Sequence, residues 1–420
     1  MRIHNIRDYG AVGDGAVLDT RAIQRAIDAC GPGETVLLPE GVYRSGALFL
    51  HSSMRFVVSE GATLLGSDNL ADYPICPYAF EGRKGQSYAS LLNTADIRDT
   101  TPADPWYETG HITDGEKRLH DITIEGRGTI TANGTVLMRK ELAENHGFRG
   151  RALALRNVDG LVIRGVTVRH SPAWCVHLMF CKNVLVEGAT ICTKYAPDGK
   201  KYNVFNGDGL DPDSCRDVTI RHCVIESQDD CIALKSGRDA WGREVGVPTE
   251  NVLIEHCTFR YGFGVAMGSE MSGGIRNVTV RDCIYEDTYS LASVKAIRGR
   301  GSYIENITYE RLRHVNNSLE HQDCRWFRGA IYIDQFYSHE EYDVQHPEPV
   351  TEGTPVIRNI VLRDVESSTL AGNAIFLQGL PERHLSGITL ENVRAKGKTG
   401  VTIINADGVT MKNVIAETIS

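Results

Sequence analysis

The sequence has few of the features that mark nucleic-acid-binding, membrane-spanning or disulfide-rich proteins. Of its 420 residues only 7% are aromatic, and 54 Asp and Glu outnumber 45 Lys and Arg, for a net charge of −9. Because nucleic acids and anionic membranes are bound by clustered cations, this balance argues against both as partners. No stretch approaches the ~18 consecutive apolar residues of a membrane-spanning helix. With 41% apolar and 24% charged residues, the composition is that of a folded globular protein.

The eleven cysteines lack the pattern of a disulfide framework or a zinc site. They are spread singly along the chain, and no Cys-x-x-Cys pair occurs. The chain also opens without the basic and apolar segments of an export signal. Free, buried thiols in a reducing compartment are therefore expected, and we predict a cytoplasmic protein without a metal site or a cofactor.

One short phrase recurs along the chain: a polar residue, alternating apolar residues, a charge, and then Cys or Val. Copies begin at positions 119, 158, 182, 216, 250, 276, 305, 358, 386 and 409. Alternating β-branched residues between Gly, Asn and Asp predict short strands joined by turns, and no helical repeat is visible. A unit of this size cannot bury both its faces alone. We therefore predict an all-β fold, a single-domain parallel β-helix in which each coil stacks on the next.

Asn or Asp recurs at one position of the repeated unit, at Asn183, Asp217, Asn251, Asn277, Asn306 and Asn359. The last interval, 53 residues, is interpreted as two coils. Because Asn and Asp tolerate a left-handed backbone and offer hydrogen-bonding side chains, the recurrence predicts a stacked ladder of turns.

A single helix is predicted, near the N-terminus. The segment from Asp19 to Cys30 places small and apolar residues on one face and stops at Gly31-Pro32-Gly33. A stack of coils exposes the strands at its ends, so we expect this helix to cap the first coil.

We predict one domain over residues 1–420, without a linker. It has the cap and first coils in 1–60, a long excursion in 76–118 that could wall a cleft, and the main coils in 119–420. A second excursion is expected at 339–355.

The densest group of carboxylates lies between residues 206 and 230. It holds Asp208, Asp211, Asp213, Asp229 and Asp230. Stacked coils lie about 4.8 Å apart, so adjacent coils can bring several carboxylates onto one surface. Crowding raises the pKa of at least one of them, as an acid and base pair requires. Turn-forming aspartates or a cation site are alternative interpretations. The adjacent pair at 229 and 230 requires a bend, because neighbours on a straight strand face opposite ways.

Three motifs carry a resemblance to a known family. Residues 206–214 (Asn-Gly-Asp-Gly-Leu-Asp-Pro-Asp-Ser), 228–237 (Gln-Asp-Asp-Cys-Ile-Ala-Leu-Lys-Ser-Gly) and 268–278 (Gly-Ser-Glu-Met-Ser-Gly-Gly-Ile-Arg-Asn-Val) resemble polygalacturonases, the pectin-cleaving glycoside hydrolases of family 28. The segments 8–15 and 331–337 are similar to the bacterial exo-acting branch. The resemblance covers nearly the whole chain.

This resemblance implies a right-handed β-helix and hydrolysis of a glycosidic bond with inversion. It assigns Asp229 as general acid, and Asp230 and Asp208 as the residues that hold and deprotonate the attacking water. Inversion separates acid and base by roughly 6.5–9.5 Å, which leaves room for the water. Adjacent coils can meet that span.

Two departures from the family pattern affect the expected sugar site. Phe263, in Gly262-Phe263-Gly264, stands where the family has histidine, and Ser293 stands where it has the arginine of Arg-Ile-Lys. Lys295 is retained and is predicted to bind substrate, although a lysine alone grips a carboxylate less firmly than an arginine fork. Phe263 offers a stacking face for the sugar. A third departure, Gly207 in place of threonine, is judged minor.

Other residues are predicted to contact substrate by the same resemblance. Arg298, or alternatively Arg300, could replace the missing arginine, with solvated turn residues as the alternative interpretation. His177 matches a position near the family's cleft, although a structural histidine fits equally well. Tyr337 matches an aromatic close to the reducing-side subsite. Glu270 is interpreted as organising its loop.

The function that these residues favour is an inverting, exo-acting glycoside hydrolase that needs no cofactor. Its substrate partner is expected to be a pectin-derived oligosaccharide of galacturonide or rhamnogalacturonan type, or a related plant glycoside. Two alternatives remain open from the sequence: a β-helix polysaccharide lyase, and a glycan-binding protein of the same fold without turnover. The oligomeric state is not predicted.

Overall fold

The computed structural model describes residues 2–94, 119–144, 149–319, 327–337 and 343–419. The chain divides into two compact units, residues 1–229 and 230–420. Each unit is described by itself, and the single-domain organisation stays a prediction.

Unit 1 consists almost entirely of short strands. They are β1 (Ile3–Asn5), β2 (Asp14–Leu18), β3 (Glu34–Leu38), β4 (Gly41–Ser45), β5 (Leu48–Leu50), β6 (Met54–Val58), β7 (Ala62–Gly66), β8 (Ile75–Phe80), β9 (Arg83–Tyr88), β10 (Leu92–Thr94), β11 (Leu119–Gly126), β12 (Thr129–Thr131), β13 (Leu153–Arg156), β14 (Val158–Arg164), β15 (Thr167–Arg169), β16 (Val176–Met179), β17 (Lys182–Glu187), β18 (Thr190–Cys192), β19 (Leu210–Asp213), β20 (Arg216–Arg221) and β21 (Val224–Ser227). Its helices are α1 (Thr20–Asp28) and α2 (Gly134–Glu144), with 3-10 turns at Ile6–Tyr9 and Leu70–Asp72.

Three series of parallel strands stack through unit 1. Face A is β3, β6, β11, β14, β17 and β20. Face B is β4, β7, β12, β15, β18 and β21. Face C is β5, β10, β13, β16 and β19. On face A buried residues alternate with more exposed ones, whereas β13, β16 and β19 of face C are buried throughout. Face C is therefore covered on its outer side as well as its inner side.

Unit 2 repeats this plan. Its strands are β22 (Ile232–Leu234), β23 (Thr249–Glu255), β24 (Thr258–Tyr261), β25 (Val265–Met267), β26 (Ile275–Arg281), β27 (Ile284–Glu286), β28 (Ala292–Lys295), β29 (Tyr303–Asn316), β30 (Gly329–Asp334), β31 (Val356–Thr369), β32 (Asn373–Gln378), β33 (Leu385–Gly397), β34 (Thr399–Ile404), β35 (Ala406–Asp407) and β36 (Thr410–Thr418), with the helix α3 (Asp239–Val245). Face C of this unit is β22, β25, β28, β30, β32 and β34, all parallel.

The predicted fold class is confirmed: the chain is all-β and folds as a right-handed parallel β-helix. The predicted capping helix is confirmed as α1, which buries Ala22, Ile23, Ala26 and Ile27 on one face. The expectation of a single helix was wrong, because α2 and α3 are also present. Both lie in connections between strands, where no repeat pattern marks them. None of the helices in the described part of the chain is long and apolar enough to span a bilayer.

The predicted ladder of turns is confirmed in unit 2. Asn277, with φ of 56°, donates from Nδ2 to Oδ1 of Asn251 at 3.2 Å, and Asn306 donates to Asn277 at 3.1 Å. Each side chain thus ties its own turn to the turn of the preceding coil.

The interpretation of the 53-residue interval as two coils was wrong. Asn359 donates directly to Asn306 at 3.1 Å, and β29 pairs with β31 along twelve residues of register. The interval is therefore one coil, in which the long connection of residues 335–355 joins β30 to β31. Repeat spacing cannot distinguish a second coil from a long loop.

The cysteines of the described ranges form no disulfide bonds with one another. All ten of them are buried. Their expected role as small apolar residues of the interior is confirmed for these ten.

We expect Asn277→Ala to lower the free energy of unfolding by about 1–2 kcal/mol, because it removes two side-chain hydrogen bonds and forces alanine into a left-handed backbone. The control is Asn277→Gly, which loses the same two hydrogen bonds. Because glycine adopts a left-handed backbone without strain, this variant should lower the free energy of unfolding less. Chemical denaturation of both variants measures the difference. Equal losses would contradict the role assigned to the turn conformation.

Candidate active site

Asp208 is fixed by the backbone that surrounds it. It lies two residues before β19 and is only 3% exposed. Its carbonyl accepts from the N–H of Cys175 at 2.9 Å, and the carbonyl of Gly209 accepts from Val176 at 3.0 Å. These bonds extend the pairing of β19 with β16, so Asp208 lies where the chain enters face C.

The carbonyl of Gly207 joins this turn to the one that carries Asp229. It accepts from the backbone N–H of Gln228 at 3.1 Å, from that of Asp229 at 3.2 Å and from the hydroxyl of Thr193. A Cβ at position 207 would lie 2.5 Å from Cγ1 of Val204 and 2.8 Å from Cβ of Gln228. Only glycine fits, which gives a packing reason for the departure from threonine. Asp208 and Asp229 are thereby brought together in unit 1.

The predicted bend at Asp229 and Asp230 is confirmed. Both residues lie between β21 and β22, and the hydroxyl of Ser227 donates to the carbonyl of Asp229 at 2.6 Å. Asp229 is partly exposed, whereas Asp230 is 2% exposed. Neighbouring carboxylates therefore occupy environments that differ in access to solvent.

In unit 2, Asp230 forms a buried ion pair with Lys295, the last residue of β28. Nζ of Lys295 lies 2.6 Å from Oδ2 of Asp230 and 5.1 Å from the centre of the Tyr337 ring. Burial raises the pKa of the neighbouring Tyr332 to about 12, so its phenol stays protonated. The structure thus brings Asp230, Lys295 and Tyr337 together.

Glu270 is a carboxylate of another kind. Burial raises its pKa, but Lys235, Arg300 and Lys295 together outweigh burial and lower the pKa of Glu270 to about 2. Nζ of Lys235 lies 3.3 Å from Oε2 of Glu270. A carboxylate held this firmly ionised suits the organising role assigned to it and does not suit proton donation.

His177 lies on β16 and is fully buried. Its ring meets Trp174 and Tyr78 edge to face, and Nε2 lies 3.3 Å from Oδ2 of Asp213. In this arrangement the ring is packed among protein groups, which favours the structural interpretation. Its contact with substrate stays a prediction.

Phe263 packs in an apolar cluster. Its ring lies 5.2 Å from that of Tyr289 and 6.4 Å from that of Phe327, and the residue is 5% exposed. Its carbonyl accepts from Ser290 and from Ser293, at 2.7 and 3.4 Å. Ser293 therefore fastens the backbone at 263, and a stacking role for the Phe263 ring stays a prediction.

Arg298 and Arg300 were the candidates to replace the family arginine that is absent at position 293. Neither of them is a solvated turn residue. Arg298 forms a fork with Glu382, at 2.7 and 2.8 Å, and lies over Phe336. Arg300 is 6% exposed and donates to Asp239 and, at 2.8 Å, to the carbonyl of Ser269. Both side chains stabilise the loop that follows β28. Substrate binding by Arg298 stays a prediction.

Two arginines, one in each unit, lie near predicted site residues and were not themselves predicted from the sequence. In unit 1, Arg149 donates at 2.6 Å to the carbonyl of Phe205 and to Oδ1 of Asn206, directly before the turn of Asp208. In unit 2, Arg328 donates from Nε to Asp334 at 2.8 Å. Within the described part of the chain, its two terminal nitrogens have no hydrogen-bond partner. In the sequence, each of these two arginines is marked only by the glycine that follows it. Arg-Gly pairs are too common to predict a site.

The predicted excursion at 76–118 begins as the β8–β9 hairpin; residues 95–118 lie outside the described ranges. The ring of Tyr78 rests on His177 of face C, and the ring of Phe80 rests on Trp174, two residues before β16. The guanidinium of Arg151 stacks on Tyr78, Phe80 and Trp174. At the hairpin's tip, Oε1 of Glu81 accepts from Asn206 at 3.1 Å. The hairpin covers face C beside Asp208, which explains why β13 and β16 are buried on both sides.

Comparisons with known proteins agree with this architecture. The chain matches the family model "Glycosyl hydrolases family 28" over residues 100–415, and "Rhamnogalacturonase A/epimerase, pectate lyase-like" over residues 3–120. A probable polygalacturonase of Vitis vinifera is 30% identical, covering 92% of this chain and 72% of that protein. An exo-poly-alpha-D-galacturonosidase of Dickeya chrysanthemi is 31% identical, covering 66% of this chain and 49% of that protein. This chain thus spans about half the length of the Dickeya protein.

Two solved structures share the fold. The family 28 exopolygalacturonase of Yersinia enterocolitica has a TM-score of 0.78 at 22% identity, over 98% of this chain and 76% of that one. A hyperthermoactive exopolygalacturonase of Thermotoga maritima has a TM-score of 0.75 at 24% identity, over 98% and 92%.

We expect Gly207→Ala to lower the free energy of unfolding by about 1–3 kcal/mol, because the added methyl group must displace Val204 or the turn of Gln228. The matched control is Gly400→Ala, where the new Cβ meets nothing nearer than 4.0 Å. Chemical denaturation compares the two variants. Similar unfolding free energies would contradict the packing reason given for this glycine.

Proposed function

The chain belongs to glycosyl hydrolases family 28, and on that premise we propose that it is an inverting, exo-acting hydrolase of pectin-derived oligosaccharides. The observation that carries the proposal is the setting of its aspartates within their own units. Asp208 and Asp229 are tied through the carbonyl of Gly207, and Asp230 is paired with Lys295.

The proposed chemistry is a single displacement. The carboxylic acid of Asp229, the most solvent-accessible of the three, protonates the glycosidic oxygen of the leaving sugar. A water held by Asp230 and Asp208 attacks the anomeric carbon from the opposite face and passes its proton to one of these carboxylates. Contact with the ammonium group of Lys295 favours the ionised form of Asp230, as a base requires.

The cations of unit 2 support an acidic sugar as substrate. Lys295 and Asp334 are direct register partners on β28 and β30, and Arg328 donates to Asp334. The side chain of Arg328 is 30% exposed. A sugar carboxylate could therefore accept hydrogen bonds from the terminal nitrogens of Arg328. Arg328 would then replace the family arginine, at whose position this chain has Ser293. The substrates proposed are galacturonides or rhamnogalacturonan fragments, with related plant glycosides as the alternative.

The β8–β9 hairpin supports exo action. It covers face C directly beside Asp208, with its tip bonded to Asn206. An oligosaccharide bound at Asp208 cannot continue along face C past the hairpin. The bond that is cleaved would then lie close to one end of the chain of sugars.

We expect the chain to release monomeric galacturonate from digalacturonate and trigalacturonate. Asp229→Asn should slow this release about 10²–10⁴-fold, because an amide cannot donate the proton. Asp217→Asn, the same change at an exposed turn of unit 1, is the control and should leave the rate unchanged. Product release is measured by chromatography over a panel that adds rhamnogalacturonan fragments and neutral plant glycosides.

Unchanged hydrolysis in Asp229→Asn would contradict the assignment. An unsaturated product that disappears on chelation of metal ions would instead identify a lyase. Turnover confined to the rhamnogalacturonan fragments or to the neutral glycosides would change the proposed substrate and leave the proposed mechanism intact.

Replacing residues 76–87 with a short Gly-Ser connection should convert end-wise release into internal cleavage of a long substrate, because face C is then open. A mixture of oligomers in place of monomer is the expected product pattern. Glu81→Ala, which frees only the hairpin's tip from Asn206, should shift the pattern less. Monomer as the sole product of the shortened chain would contradict the proposed role of the hairpin.

A further inference from the structure

Three potential metal ligands meet at the N-terminal cap of unit 1, apart from all the residues discussed above as catalytic. His4 lies on β1, Cys30 follows the end of α1, and Glu34 begins β3. One donor atom from each lies within 4.8 Å of the other two. His4 and Cys30 are 2% and 4% exposed, whereas Glu34 is partly exposed. The donors therefore converge in the interior, with access from solvent past the carboxylate.

The donor set selects the class of ion. An imidazole nitrogen, a thiol sulfur and a carboxylate oxygen are the ligands taken by Zn²⁺, whereas Mg²⁺ and Ca²⁺ prefer oxygen alone. Nε2 of His4 lies 2.7 Å from Oε2 of Glu34. Tetrahedral Zn²⁺ with bonds of about 2.0–2.3 Å holds its donor atoms about 3.3–3.7 Å apart. To bind the ion, Nε2 of His4 and Oε2 of Glu34 therefore need to move apart by about 1 Å or less.

Outer contacts already orient two of the three donors. Nδ1 of His4 lies 2.5 Å from the hydroxyl of Tyr9, and this contact turns Nε2 toward Glu34. The backbone N–H of Gly31 donates to Oε2 of Glu34 at 2.8 Å. Metal-bound histidines and carboxylates are usually supported by hydrogen bonds of this kind.

We propose that His4, Cys30 and Glu34 bind one Zn²⁺ ion, with water as the fourth ligand, and that this ion fastens the capping helix to the first strands. Binding releases the thiol proton of Cys30 to solvent, while the single ring proton of neutral His4 occupies Nδ1, beside the hydroxyl of Tyr9, so that Nε2 is free to bind the ion. The site has a structural role, since none of the aspartates assigned to hydrolysis belongs to it. No zinc-binding spacing is visible in the sequence, because the ligands come from three separate segments.

The test uses the full chain, stripped of metal with a chelator and titrated with Zn²⁺ alone against a chromogenic chelator. We expect one equivalent to bind, with a rise in the thermal unfolding midpoint, since a ligand bound only by the folded state stabilises it. Co²⁺ in place of Zn²⁺ should show the charge-transfer absorption of a thiolate ligand. Cys30→Ser and His4→Gln should each weaken binding at least about 100-fold.

Two further variants keep the test decisive. Cys76→Ser, which also removes a buried thiol of unit 1, should bind as the unmodified chain does. Glu34→Gln replaces the partly exposed ligand and should fold and bind weakly even if changes at the buried positions prevent folding. A chain that binds no Zn²⁺, or that binds it equally after Cys30→Ser or Glu34→Gln, would overturn the proposal.

Discussion

The parallel pairing of each coil with the next is the constraint on which the rest of the structure depends. It repeats one backbone path along each unit, so a residue's position in the coil determines its neighbours above and below. Left-handed turns at Asn251, Asn277, Asn306 and Asn359 keep the coils in register, because their side chains bond from one turn to the next. Side chains far apart in sequence thereby become stacked neighbours.

The candidate active site uses this register. A single carbonyl, that of Gly207, ties the turn of Asp208 to the turn of Asp229, and the absence of a side chain at 207 permits the approach. In unit 2 the same stacking places Lys295 beside Asp334 and within reach of Asp230. Charges that would be costly to bury alone are thus met by partners from neighbouring strands. Loops outside the stack, such as the β8–β9 hairpin, then cover part of face C.

Much of the fold was predictable from the sequence, because strand alternation, turn residues and the helical face of α1 are local signals. The interval from Asn306 to Asn359 was misjudged, since spacing does not show whether a chain completes a coil or leaves the stack as a loop. The partners of site residues were less predictable. Arg298 pairs with Glu382, 84 residues away, and the meeting of His4, Cys30 and Glu34 depends on the path of three segments. Such contacts follow from the route of the loops, which periodicity does not encode.

The most direct test of the account is the configuration of the first product, followed by proton magnetic resonance before the free sugar equilibrates. Asp229 is assigned as the acid, and Asp230 and Asp208 as the residues that hold and deprotonate the water. Such a single displacement predicts that the anomeric centre of the product is inverted relative to the bond cleaved. A product that first appears with retained configuration would require a covalent intermediate. It would contradict the roles assigned to the three aspartates.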